Sequence, residues 1–206
     1  MKPTAALFDL DGVIIDSEKL YTRFWGEIEK IYPTGIPNFP VAIKGSTLPE
    51  ILVLYPTDEI RNDVTRRLNE FQDQMSFPLL PGAIEFLDSL KGEGIPRALV
   101  TSSDARKMDC LFQQLPQLRE KFDVIIDASK VTKSKPDPQG YLIAAEALGA
   151  KPEDCVVFED SLNGLKAGKA SGAKVVALAT TYPAEDLKGM GDLIINEWSE
   201  MDFDKL

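Results

Sequence analysis

The chain has no histidine and only two cysteines, Cys110 and Cys155, among its 206 residues. Without histidine there is no Ser-His-Asp triad, no Cys-His pair, no phosphohistidine and no His-ligated metal. Two cysteines cannot build a four-sulfur zinc site or a disulfide framework, and a reducing, cytoplasmic setting is the expectation. No apolar run approaches the ~20 residues of a membrane span. The opening stretch MKPTAALFDLDG turns acidic after a short apolar core and does not read as a signal peptide. Positive charge is scarce too: 23 Lys and Arg stand against 33 Asp and Glu, a formal net charge of −10. Nucleic-acid and anionic-membrane partners are therefore not expected. Catalysis, if any, has to run on carboxylates, lysines, hydroxyls and a hard, oxygen-preferring cation.

The rest is the composition of a packed chain: 44% hydrophobic and 27% charged. Its length suits one domain of ~200 residues, or one of ~140 carrying an insertion. Ala5–Phe8 reads as a short buried strand that runs into Asp9-Leu10-Asp11-Gly12. The period then becomes helical, with Leu20, Phe24, Ile28 and Ile31 at spacings of three and four, and again Ile60, Val64, Leu68, Phe71 and Met75. Prolines 33, 37 and 40 break this stretch, and Pro78-Leu-Leu-Pro81-Gly82 closes it. The reading is a helical insertion over 17–80, with 1–16 and 81–206 forming one other domain.

Beyond Gly82 strands and helices alternate. Strands are expected at 96–101, 122–127, 155–158 and 174–178, and helices from Ala83, over 104–114, over 138–148 with Asp137 as N-cap, and over 162–171. Apolar strands in β-α-β order predict a parallel sheet covered on both faces, with ligands beyond the carboxyl ends of the strands. Those ends carry Asp9 and Asp11; Thr101, Ser102 and Ser103; Lys135; and Glu159, Asp160 and Ser161. If the strands are neighbours, four carboxylates, one ammonium and a hydroxyl cluster converge. Carboxylates packed together repel unless a cation shares them, and all-oxygen ligation suits Mg²⁺. Lys135 beside the metal would meet phosphate oxygens, and Thr101 would add a neutral hydrogen bond. Each residue alone has a plainer reading: an acidic turn at Asp9, a solvated loop charge at Lys135, helix N-caps at Ser103, Asp104 and Glu159-Asp160. Their coincidence favours a site.

Asp9-Leu-Asp11-Gly-Val, Thr101, Lys135-Pro136 and Glu159-Asp160-Ser161, in that order, resemble the four motifs of the haloacid dehalogenase superfamily. Within it, the branch of β-phosphoglucomutase and sugar-phosphate phosphatases is the most similar. The resemblance covers nearly the whole chain and implies an α/β fold: a three-layer, Rossmann-like parallel sheet with the 17–80 insertion as a helical cap. It further implies that Asp9 attacks phosphorus to form an aspartyl phosphate and that Asp11 protonates the leaving oxygen and then deprotonates water. Asp9, Asp11, Glu159 and Asp160 are the expected metal ligands, with Mg²⁺ as cofactor. Thr101, Ser102, Lys135 and, from the cap, Lys44 are the expected phosphate and substrate contacts. By spacing, Tyr21 and Leu48 stand where sugar phosphomutases of the branch carry a histidine and an arginine. That departure favours a phosphatase acting on a sugar or polyol phosphate over a mutase. Lys44 would be the Schiff-base lysine of a phosphonatase, and a receiver-like signalling domain, nearer ~120 residues, is the non-enzymatic rival. A monomer acting on a small phosphorylated molecule is expected.

Overall fold

The computed structural model describes residues 2–205. Its six strands are β1 (Ala5–Phe8), β2 (Arg97–Val100), β3 (Val124–Ile126), β4 (Cys155–Glu159), β5 (Lys174–Leu178) and β6 (Leu193–Ile195). All pair in parallel, in the order β3-β2-β1-β4-β5-β6. This is the α/β sheet expected from the strand–helix alternation. β1 is central, and all four of its residues are buried. Alternate residues point to opposite faces: Ala6 and Phe8 join one core, Ala5 and Leu7 the other. On the first face Phe8 stacks on Phe158 at 4.7 Å, and the Trp198 indole N–H donates to the carbonyl of Val13 at 2.9 Å. On the second, Tyr141, Ala144 and Leu165 pack on Leu7 and Val157. The order of strands reverses between β1 and β4, so a crevice opens beyond the carboxyl ends of these two strands.

Four helices occupy the stretch between Glu18 and Gln74: α1 (Glu18–Ile31), α2 (Phe39–Ala42), α3 (Leu48–Leu52) and α4 (Asp58–Gln74). They share a core of their own, built from Trp25, Ile28, Phe39, Tyr55, Val64 and Leu68. The loop before α3 rests on the strand-end loops. Ser102 donates its hydroxyl to the carbonyl of Gly45 at 2.9 Å, and the Asn163 amide donates to that of Lys44 at 3.2 Å. Arg106 pairs with Asp73 at 2.6 Å across the same seam.

The remaining helices are α5 (Ala83–Gly92), α6 (Ala105–Gln114), α7 (Pro116–Arg119), α8 (Gln139–Ala147) and α9 (Leu162–Ser171). Asp104 caps α6 by accepting from the N–H of Lys107 at 2.9 Å, and Ser161 caps α9 by accepting from that of Gly164 at 3.1 Å. Pro138, not Asp137, occupies the N-cap of α8; the Asp137 carboxylate still accepts from the Gln139 N–H at 3.0 Å. β3 is shorter than expected because the Asp123 carboxylate turns to the backbone N–H and guanidinium of Arg97, at 2.8 and 3.0 Å. α7 and β6 were not foreseen: each is a three- or four-residue element, too short to show a period. Among the described residues no helix is long and apolar enough to cross a membrane.

Candidate active site

β1 and β4 end side by side, with Phe8 opposite Phe158, and the chain delivers its acids at that point. Asp9 follows β1 directly, Glu159 is the last residue of β4, and Asp160 follows it. One carboxylate oxygen from each of the three lies within 4.8 Å of the others, and all three residues are buried. Lys135, from the loop between β3 and α8, enters this group. Its ammonium donates to Asp9 Oδ1 at 2.5 Å, to Glu159 Oε1 at 2.6 Å and to the carbonyl of Val100 at 3.1 Å. Burial pulls its pKa down, but the charges of Asp9 and Glu159 outweigh this and hold it well above the usual lysine value.

Glu159 is fully engaged. Besides Lys135, its Oε1 accepts from the Tyr141 hydroxyl at 3.0 Å. Its Oε2 accepts from the N–H groups of Asp160 and Ser161, each at 2.9 Å, and from the Ser161 hydroxyl at 3.1 Å. Gly164 makes room for this carboxylate, since a Cβ there would stand 1.6 Å from Oε1. Asp160 differs: its Oδ2 is buried and has no hydrogen-bond partner. That oxygen fills the space beside Gly12, where a Cβ would come within 2.0 Å of it and where φ is +75°. The glycine of the Asp9-Leu-Asp11-Gly12 run is thus required twice, by its backbone and by its neighbour.

Three carboxylates around one ammonium leave excess negative charge. Burial, opposed by Lys135 and reinforced by Glu159 and Asp11, pushes the carboxyl of Asp9 up to about 8. Burial and then the charges of Glu159, Glu18 and Asp9 hold that of Asp160 well above the carboxylate range. An all-oxygen donor set with an orphaned, buried oxygen and surplus negative charge fits a hard divalent cation such as Mg²⁺.

The carboxylate of Asp11, expected among the metal ligands, lies outside this three-acid group. It accepts from the hydroxyls of Ser17 and Ser103, the latter at 3.2 Å, and from the ammonium of Lys107. Lys107 belongs to α6, is 4% exposed, and lies 4.4 Å from the centre of the Tyr21 ring on α1. The strand-end logic missed this lysine because it comes from a helix. The available signal was a lysine next to Met108 and four residues before Leu111, on the buried stripe of an amphipathic helix. Thr101 accepts from the N–H of Ser103 at 3.1 Å and donates to its hydroxyl at 3.0 Å. The Ser102 hydroxyl is spent on Gly45. Lys44, expected to meet a substrate anion, is paired with Glu18 at 2.6 Å and stands 5.9 Å from the Tyr182 ring.

A cavity of about 120 Å³ separates the two halves of the site, with Asp9, Asp11, Thr101 and Asp160 on the sheet side and Tyr21, Trp25, Lys44 and Gln72 on the helical side. The geometry therefore defines an α/β protein whose acids and lysine meet at a strand-order reversal under a helical cover. A family model described as haloacid dehalogenase-like hydrolase matches residues 3–172, and the chain belongs to that family. Validoxylamine A 7'-phosphate phosphatase of Streptomyces hygroscopicus subsp. limoneus is 30% identical over 205 residues, covering 95% of this chain and 94% of that protein. The phosphorylated carbohydrates phosphatase of Thermotoga maritima is 33% identical over 178 residues, covering 82% of this chain and 81% of that one. Among solved structures, a haloacid dehalogenase hydrolase of family IA, variant 3, from Entamoeba histolytica superposes with a TM-score of 0.83 at 27% identity, covering 100% of this chain and 97% of the other. The motif resemblance to the sugar-phosphate phosphatase branch agrees with these relatives.

Proposed function

We propose that the chain is a Mg²⁺-dependent phosphatase that hydrolyses a small sugar or polyol phosphate through an aspartyl phosphate on Asp9. The observation that carries this reading is the pairing of Asp9 with Lys135 at 2.5 Å beside Asp160, whose Oδ2 lacks a partner. The two named phosphatases among the relatives support the substrate class. Asp9 and Asp160 would hold the cation, which supplies positive charge to the phosphoryl oxygens. Glu159, with both oxygens occupied, keeps Lys135 in place instead of binding metal.

Lys135 orients one oxygen of Asp9 and leaves the carboxylate to attack phosphorus in line with the departing oxygen. The P–O bond to the leaving group breaks, and Asp11 gives that oxygen a proton. Asp11 then takes a proton from water, the water oxygen bonds to phosphorus, and the bond to Asp9 breaks to restore its carboxylate. Ser17, Ser103 and Lys107 fix Asp11 on the cavity side for both transfers. Thr101, expected to hydrogen-bond the phosphoryl group, instead donates to the Ser103 hydroxyl, which in turn holds Asp11. A mutase would have to hold a doubly phosphorylated intermediate, and Tyr21 and Leu48 replace the histidine and arginine of the mutase pattern.

Phosphate release from p-nitrophenyl phosphate and from a panel of sugar and polyol phosphates, with Mg²⁺ and after EDTA dialysis, tests the reading. Release that needs Mg²⁺ is expected; release undiminished by EDTA would overturn it. With β-glucose 1-phosphate, free phosphate is expected, and accumulation of glucose 6-phosphate would make the protein a mutase.

A further inference from the structure

Away from the strand-end acids, one buried polar atom on the cavity wall, among the described residues, lacks a hydrogen-bond partner. Gln72, in the last turn of α4, is 3% exposed and shares the wall with Trp25 and Leu68. Its Nε2 donates to the Tyr21 hydroxyl at 3.4 Å, while its Oε1 has no hydrogen-bond partner. Turning the amide over would exchange the two atoms and leave its nitrogen unpaired instead. A buried amide left half-satisfied is unfavourable where an apolar side chain of the same shape would be neutral. A hydroxyl entering the cavity, which donates and accepts, satisfies either orientation.

The lysines that approach the cavity are meanwhile all committed to carboxylates. Lys44 is paired with Glu18, Lys107 with Asp11, and Lys135 with Asp9 and Glu159. One phosphoryl group can be met at the cation site offered by Asp9 and Asp160. A second, bringing about two further negative charges, would face Glu18 and Asp11 with each nearby lysine already neutralised.

We infer that Gln72, seconded by Tyr21, reads a hydroxyl of the leaving group, so that the site selects a singly phosphorylated and otherwise uncharged polyol over a bisphosphate. This rests on the phosphatase reading and makes Gln72 a specificity-determining residue, not a catalytic one. A pocket built to hydrogen-bond a hydroxyl rejects the analogue lacking it far more strongly than an apolar pocket distinguishes methylenes.

The test is kcat/KM, with Mg²⁺, for glucitol 6-phosphate, hexyl phosphate, fructose 6-phosphate, fructose 1,6-bisphosphate and p-nitrophenyl phosphate. In the unmodified protein glucitol 6-phosphate should exceed hexyl phosphate by about 100-fold or more. Fructose 6-phosphate should exceed the bisphosphate by at least about tenfold. Gln72→Met, close in volume, should lower the ratio of glucitol 6-phosphate to p-nitrophenyl phosphate by about tenfold or more, a ratio that cancels any loss of folded protein. Tyr21→Phe should lower it in the same direction and stands in if Gln72→Met does not fold. An unchanged ratio, equal use of hexyl phosphate, or preference for the bisphosphate would overturn the inference while p-nitrophenyl phosphate is still hydrolysed. Release from none of the five would overturn the phosphatase reading, and this inference with it.

Discussion

Lys135 and Lys107 are two buried lysines, each paired with an acid of the cavity wall, Asp9 and Asp11, and they are held in opposite ways. Lys135 is shared by Asp9 and Glu159, and its partners all come from strands or the loops that directly follow them. Lys107 comes from the first turn of a helix, serves Asp11 alone, and is covered by Tyr21 from another helix. The first arrangement needs only the sheet to form. The second needs α6 to pack beside the loop after β1 as well, and its cover, Tyr21, comes from the helical insertion. The proposed nucleophile is thus placed on the rigid element, whereas Asp11, the proposed acid–base carboxylate, sits within reach of a residue of the helical insertion.

Breaking the first arrangement should cost most. Asp9→Asn should lower phosphate release from p-nitrophenyl phosphate by on the order of 10³-fold or more, since an amide cannot act as the proposed nucleophile. Next comes Lys135→Met, which strands Asp9 and Glu159 together without their ammonium. Removing one partner of a buried ion pair costs about 3–5 kcal/mol. Thermal unfolding followed by circular dichroism should then fall by ~10 °C at a neutral pH, given roughly 2–4 °C per kcal/mol for a chain of this size. Lys107→Met should cost less in stability, a few °C, because Asp11 is partly exposed and keeps Ser17 and Ser103 as donors. Its kcat should nonetheless fall by about 10²-fold as the proton carrier loses its orientation. Equal losses of Tm in the two lysine variants would erase the contrast drawn between them.

The smallest effect is a dependence on pH. Because Asp9 is raised from 3.8 to about 8, and Asp160 is also raised, the metal-free folded chain keeps protons that the unfolded chain has released. Their contribution to stability therefore declines as pH rises from about 4 to about 8. A cation held by the same carboxylates must displace those protons, so the rise in Tm on adding Mg²⁺ should be larger at pH 8 than at pH 5.5. A Mg²⁺-induced rise that shrinks with increasing pH would contradict the assignment of these acids.

The same contrast separates what was legible in the sequence from what was not. Asp9, Lys135, Glu159 and Asp160 could be found because a parallel sheet announces its carboxyl ends, and apolar runs such as Cys155–Phe158 stop where polar residues begin. The central place of β1 followed from neither pattern nor propensity, yet it is what brings those ends together. Glu159 was legible as a site residue but not in its engagement by five donors, which depends on Tyr141 of α8 and on the room beside Gly164. Lys107, Glu18 and Gln72 stayed hidden, because a polar residue on a helix becomes part of a site only through the way that helix packs. Lys44 was found by position, but its commitment to Glu18 is a tertiary fact.

In the proposed reaction Asp9 carries the phosphoryl group. Quenching the protein in acid during turnover of p-nitrophenyl phosphate, then mapping its peptides by mass spectrometry, tests this directly, with Asp11→Asn used to slow breakdown of the intermediate. One added phosphoryl group is expected on the peptide containing Asp9, more of it in Asp11→Asn, and none in Asp9→Asn. Phosphate released at full rate with no phosphoryl group on that peptide, or with the group on another residue, would show that Asp9 is not the nucleophile.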